Sequence, residues 1–122
     1  MTTSEIATVL AWHDALNAAD LDTLVSLSSD DIDIGDAHGA AQGHAALREW
    51  AIARPRKAEV GRIFVHSGVV VVEQKISGAG ESGSTVASAF RVVNDHVTSV
   101  FRHDDLAAAL AATELTDADR VD

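Results

Sequence analysis

Apolar residues near the start of the chain recur at helical spacing. Ile6, Val9, Leu10, His13 and Leu16 fall on one stripe, with Trp12 beside it near Leu16. Ahead of them Thr2-x-x-Glu5 fits a capping box, in which a hydroxyl and a carboxylate satisfy backbone N–H groups reciprocally. Asp20 reads as the N-cap of a short second helix carrying Leu21, Leu24, Val25 and Leu27. That helix is expected to stop at Ser28–Ser29, whose side chains compete for the backbone. Over 31–36 the period changes to two, with Ile32 and Ile34 on one parity and Asp31 and Asp33 on the other, which predicts a strand with one buried face. A Gly-rich connection over 35–43 leads to a third helix from about His44 through Leu47 and Trp50 to Ala53. Pro55 ends it by disfavouring helical geometry at Arg54.

The second half alternates as strands do. Ala58, Val60, Arg62, Phe64 and His66 interleave with Glu59, Gly61, Ile63 and Val65. Ser67-Gly68 is a two-residue turn, Val69–Ile76 a β-branched run, Ser77–Ser84 a Gly/Ser loop, and Val86–Val93 the next strand. Asn94-Asp95 predicts a tight hairpin into a last strand, Val97–His103. Asp104 or Asp105 then caps a short helix over 106–112, and residues 115–122 are expected to fray. Helices followed by an antiparallel meander define an α+β domain. Strong twist makes the sheet a cone with three N-terminal helices and a short C-terminal helix, and the mouth of such a cone favours small molecules.

Length and composition agree with this reading. The 122 residues suit one domain without an internal boundary, 1–122. Nine basic against nineteen acidic residues give a net charge of −10, which disfavours nucleic acid and anionic membrane surfaces as partners. The absence of Cys excludes disulfides, thiolate metal sites and thiol nucleophiles, and the absence of Tyr removes a phenolic acid or oxyanion donor. No basic leader and no long apolar run is present, so a cytoplasmic protein is expected.

The stretch over 30–39 carries the most chemistry. Parity with Ile32 and Ile34 aims Asp36 inward, where the strand meets a Gly-rich loop. Apolar neighbours such as Trp12, Val60, Phe64 and Val92 are expected to desolvate this carboxylate and raise its pKa toward that of a general base. A plain loop-capping aspartate is the competing reading. An EF-hand is ruled out, because its sixth position is Asp36 rather than Gly and its twelfth is Gln42 rather than Glu. The six histidines show no tight metal-ligand spacing, so neither a metal nor another cofactor is expected. His38 stands close enough in sequence to share a cavity with Asp36, and His66 and His103 end strands. The Gly-rich run over 78–84 lacks the Gly-Lys-Ser/Thr ending of a phosphate loop, and there is no G-x-S-x-G elbow.

Three stretches together resemble a known family: Ala-Trp-His-Asp-Ala-Leu-Asn-Ala-Ala-Asp-Leu-Asp-Thr-Leu over 11–24, Ser-Asp-Asp-Ile-Asp-Ile-Gly-Asp-Ala-His-Gly over 29–39, and Gly-His-Ala-Ala-Leu-Arg-Glu-Trp over 43–50. The chain is similar to the nuclear-transport-factor-2-like superfamily over about residues 4–112. SnoaL-like polyketide cyclases and ketosteroid isomerases are that superfamily's enzymatic branches. The resemblance implies a catalytic base at Asp36, with His38 and Gly39 following it as the pattern requires. It also puts Trp12 where the isomerases keep a tyrosine and Ser88 near their protonated aspartic acid, so that oxyanion hole does not carry over. Trp12 N–H, the Ser88 hydroxyl and His38 are the donors left to polarise a substrate. An Asp–Arg–Asp arrangement of the limonene-epoxide-hydrolase type would need Asp36 with Arg62 or Arg102.

Two functions follow. The first is an isomerase, cyclase or hydrolase acting on a small apolar molecule, with Asp36 as base and Trp12, His38, Phe64, Ser88 and Phe90 lining the ligand. The second is a non-catalytic ligand-binding or dimeric assembly module on the same fold. A homodimer is expected through the outer sheet face, where Val69, Val71, Ala87, Ala89 and Val93 would form an apolar patch that Arg91 shares.

Overall fold

The computed structural model describes residues 2–36, 39–52, 57–78 and 81–121. In chain order the elements are α1 (Thr2–Asn17), α2 (Leu21–Ser26), β1 (Ser28–Asp36), β2 (Gly39–Gln42), α3 (His44–Ile52), β3 (Lys57–His66), β4 (Val69–Gly78), β5 (Glu81–Val93), β6 (His96–His103) and α4 (Leu106–Thr113). A 3-10 turn at Asp117–Asp119 follows. The strands form one curled, open α+β sheet in the order β2-β1-β6-β5-β4-β3. The pairs from β3 to β6 are antiparallel, as is β1–β2, and β1 joins β6 in parallel.

Local chemistry explains the element ends. The Asp20 carboxylate accepts from the Thr23 backbone N–H at 3.3 Å and from the Thr23 hydroxyl at 2.7 Å, which starts α2. Asp105 does the same for α4 by accepting from Ala108 N–H at 2.8 Å. Both predicted hairpin turns have positive φ at both central residues: 48° and 83° at Ser67-Gly68, 51° and 63° at Asn94-Asp95. That backbone matches the right-handed twist of paired strands. β1 begins at Ser28, three residues earlier than its alternation suggests, and the expected connection over 35–43 contains the short edge strand β2.

The sheet has two apolar faces. Toward α1, α2 and α3 it presents Ile32, Ile34, Ile63, Val70, Val72 and Phe90, packed with Val9, Trp12, Leu24 and Leu47. On the other face Phe64, Val71 and Ala87 are covered by Ala109 of α4 and by Leu115, with Val69, Ala89, Leu106 and Leu110 around them. A bulge in β3 decides which residue goes where. Val60 pairs with Gln74 and Ile63 with Val72, so Gly61 and Arg62 together oppose Glu73. The Glu73 carboxylate accepts from Arg62 Nε at 2.9 Å, from Nη2 at 2.8 Å and from the Arg62 backbone N–H at 3.3 Å. A Cβ on Gly61 would stand 2.9 Å from Glu73 Oε1 and 3.3 Å from its carbonyl oxygen, so a side chain there would push the carboxylate away from Arg62. The extra residue reverses the alternation beyond it. Ile63 and Val65 turn toward the helices and Phe64 turns to α4, contrary to the simple alternation that put Phe64 in the cavity.

The end of the chain is docked rather than frayed. Leu115 is buried, Thr116 and Asp119 form a reciprocal capping box, Arg120 bridges to Phe64, and Val121 N–H donates to Ile63 O at 3.0 Å. These contacts cover the free edge of β3. α4 likewise removes Val71 and Ala87, and most of Val69 and Ala89, from the patch that suggested a dimer; Val93 stays half exposed. No helix among the described residues is long and apolar enough to cross a membrane.

Two consequences are measurable. Phe64→Ala should cost about 3–5 kcal/mol in urea unfolding, the range for emptying a buried aromatic site; a loss below about 1 kcal/mol would contradict its place under α4. The hydrogen bond from Arg62 holds the Glu73 carboxyl below its ordinary 4.5. A carboxyl whose folded pKa is depressed stabilises the fold in full above its unfolded pKa and loses that contribution as pH falls through the folded value. The stability gap between wild type and Glu73→Gln should therefore be widest near neutral pH and close in acid below about 4.5. A gap independent of pH would show that the bulge does not depend on the charge.

Candidate ligand site on the concave face

α1 delivers Trp12 to the middle of the concave face, where it is buried. Its Nε1–H donates to Ser28 Oγ at 2.9 Å, and the Ser28 hydroxyl donates onward to Leu24 O at 2.8 Å. This relay ties α1 to β1 and to the last turn of α2. Phe90 meets the Trp12 ring edge-on with centroids 5.4 Å apart, and Trp50 of α3 lies 6.0 Å away at a tilt. The Arg102 guanidinium sits 6.0 Å from the Trp50 centroid, within cation–π range.

Polar residues meet this aromatic wall along one row of the sheet. Gly35 pairs with Phe101 at the end of the parallel β1–β6 ladder, one residue short of Asp36 on β1 and of Arg102 on β6. Arg102 pairs with Ser88, and Ser88 with Val72. Ser88 is buried and its hydroxyl donates to the buried Gln74 Oε1 at 2.7 Å. Of the two arginines weighed as partners for Asp36, Arg62 is held by Glu73, which pairs with Ala87 of the outer core. Arg102 is the one on the row.

The sequence-predicted residues thus divide. Trp12, Ser88 and Phe90 come together on the concave face. Phe64 does not, because the β3 bulge sends it to the opposite face. The Asp36 side chain and His38 lie outside the described residues. Of the apolar neighbours expected around Asp36, Phe64 is on the other face and Val60 is 37% exposed. Two of the expected donors are committed elsewhere, Trp12 N–H to Ser28 and the Ser88 hydroxyl to Gln74. His66 is exposed with Nδ1 3.5 Å from Asp119, and His103 stacks at 5.1 Å on Phe101. His96 faces the Asn94 carbonyl at 2.9 Å in its exposed turn. No group of three metal-ligating side chains occurs among the described residues.

Two buried polar residues were missed. His13 is almost wholly buried, with Nδ1 3.3 Å from Asn17 Nδ2 and Nε2 without a hydrogen-bond partner among the described residues. Burial pushes its pKa below 6.5; Asp14 opposes that shift and Arg102 adds to it, so the ring is neutral at pH 7. An Nδ1 that accepts from Asn17 puts the ring proton on Nε2. Its place on the stripe with Val9 and Leu16 predicted the burial. Gln74 shares parity with Val70 and Val72 in the β-branched run, and that parity was the available signal.

Comparison with known proteins agrees with this fold. An NTF2-like protein of unknown function from Cytophaga hutchinsonii superposes with a TM-score of 0.75 at 15% identity, covering 85% of this chain and 92% of its own. A protein provisionally named a polyketide cyclase, from Sinorhizobium meliloti, gives 0.74 at 22% identity, covering 80% and 94%. One provisionally named a ketosteroid isomerase, from Kribbella flavida, gives 0.75 at 15% identity, covering 82% and 76%. At such identities the similarity shows the fold. No protein of curated function matches the chain by sequence. The sequence pattern of the SnoaL-like domain matches residues 9–110, and the chain belongs to that family within the NTF2-like fold.

Proposed function

We propose that the concave face takes a small, largely apolar carbonyl compound and that the chain acts on it as an isomerase or cyclase, with Asp36 as general base. The observation that supports this reading is the Arg102–Ser88 pair beside the Trp12, Trp50 and Phe90 rings, one residue beyond the Gly35–Phe101 pair that Asp36 follows on β1. Aromatic faces bind the apolar body of a ligand, and a few convergent polar groups orient it. The Asp36 carboxylate would take a proton from the carbon next to the carbonyl, and the freed electron pair would move onto the carbonyl oxygen. Arg102 is the group fitted to meet that developing charge, since a fixed cation against an aromatic wall needs no reorganisation. In a ligand with a double bond β,γ to the carbonyl, return of the proton from Asp36 to the γ-carbon, with the double bond shifting into conjugation, completes an isomerisation. Structural neighbours named as a cyclase and an isomerase are in keeping with this chemistry.

The second reading is a module that binds without turnover. It is favoured by the commitment of Trp12 N–H and the Ser88 hydroxyl to protein acceptors, which leaves fewer donors for an oxyanion.

Proton abstraction separates the two. Deoxybenzoin, an aryl ketone with an activated methylene, is incubated with the protein in D2O and its methylene signal followed by proton NMR. Wild type should accelerate exchange, and Asp36→Asn should lose about 10²-fold or more of that acceleration, the usual worth of a general base. Equal exchange in both proteins would remove Asp36 as the base. Binding without exchange in the wild type would leave the binding module.

A further inference from the structure

The buried Ser88–Gln74 pair fixes the polarity with which the concave face meets a ligand. A serine hydroxyl has one hydrogen and two lone pairs, and the Ser88 hydrogen is given to Gln74 Oε1 at 2.7 Å. Toward anything else Ser88 is an acceptor. Gln74 uses its oxygen on Ser88, so the end of its amide turned away from Ser88 is the Nε2 donor. Both residues are almost wholly buried on strands held in register, Val72 with Ser88 and Gln74 with Val86. An acceptor, Ser88 Oγ, and a donor, Gln74 Nε2, thus flank the 2.7 Å bond and the amide that join them, beside Arg102, which pairs with Ser88 from β6.

We infer that Gln74 and Ser88 are specificity-determining residues that select a ligand bearing a hydroxyl next to its carbonyl. The ligand hydroxyl donates to Ser88 Oγ, and the adjacent carbonyl accepts from Gln74 Nε2. A simple ketone fills only half of this pattern and leaves the Ser88 lone pairs buried and unmet, which a polar site penalises. This inference rests on the proposed reading of the concave face as a carbonyl site. It adds the chemical class of the ligand and the residues that read it.

The test compares benzoin, an α-hydroxy ketone, with deoxybenzoin, which lacks only the hydroxyl. Binding is read by tryptophan fluorescence, since the chain has two Trp and no Tyr and the Trp12 and Trp50 rings lie 6.0 Å apart at the site. Wild type should prefer benzoin by about tenfold, the worth of one net hydrogen bond. The preference should fall to about one in Gln74→Leu and in Ser88→Ala, two independent ways of breaking the pair. A role confined to packing would weaken both compounds alike and keep the ratio. A wild-type ratio near one, or a ratio retained in both variants, overturns the inference while the carbonyl site stands. If neither compound binds, the inference and the proposed function fall together. The wild-type ratio needs no variant, so a substitution that fails to fold does not spare the inference.

Discussion

The grip of Glu73 on Arg62 organises the sheet. Three hydrogen bonds to one carboxylate hold two residues of β3 opposite a single residue of β4, and the reversed alternation decides which side chains enter which core. Without that extra residue Phe64 would turn toward α1 and Ile63 toward α4. With it, Phe64 plugs the outer core between Val71, Ala109 and Leu115, and the smaller Ile63 and Val65 line the inner one. A large ring leaves the concave face and branched aliphatics take its place. Gly61 makes the close approach of the carboxylate possible.

Polar groups buried under the helices follow from the same division of labour. A buried donor or acceptor left unmet costs about 1–3 kcal/mol, so each is tied where the fold can reach it. Trp12 N–H is taken by Ser28, and Ser28 is anchored on Leu24. Ser88 is anchored on Gln74. These bonds fix the aromatic wall and the polarity of its neighbours, and they also withdraw hydrogens that an oxyanion would otherwise use. Arg102, which pairs with Ser88 on the same face, is the cation beside these tied groups. On the outer face, α4 and the docked chain end close the surface that the apolar pattern alone left open.

Much of this was legible in the sequence because it is local. Asp20 and Asp105 cap the helices they precede, and Ser67-Gly68 and Asn94-Asp95 make the turns their residues favour. Strict alternation put Ile32, Ile34, Ser88 and Phe90 on the buried concave side, where they are. The features that escaped depend on partners distant in sequence. The β3 bulge needs Glu73, eleven residues beyond Arg62. β2 is a strand only by pairing with β1, and the parallel β1–β6 junction joins the two halves of the chain. The polar end of the chain is held by the open edge of β3, which no local pattern announces. Gln74 lay within reach, since its parity in an apolar run marks a polar group that must find a buried partner.

The chain itself closes the outer face of the sheet, which leaves the concave face for a ligand. A titration of 15N-labelled protein with benzoin, followed by heteronuclear NMR, tests it most directly. The indole N–H peaks of Trp12 and Trp50 and the amide peaks of Ser88 and Arg102 are expected to move together and saturate, while those of Ala109 and Leu115 stay in place. Saturable shifts confined to α4 and the outer face, with the indole peaks unmoved, would contradict it.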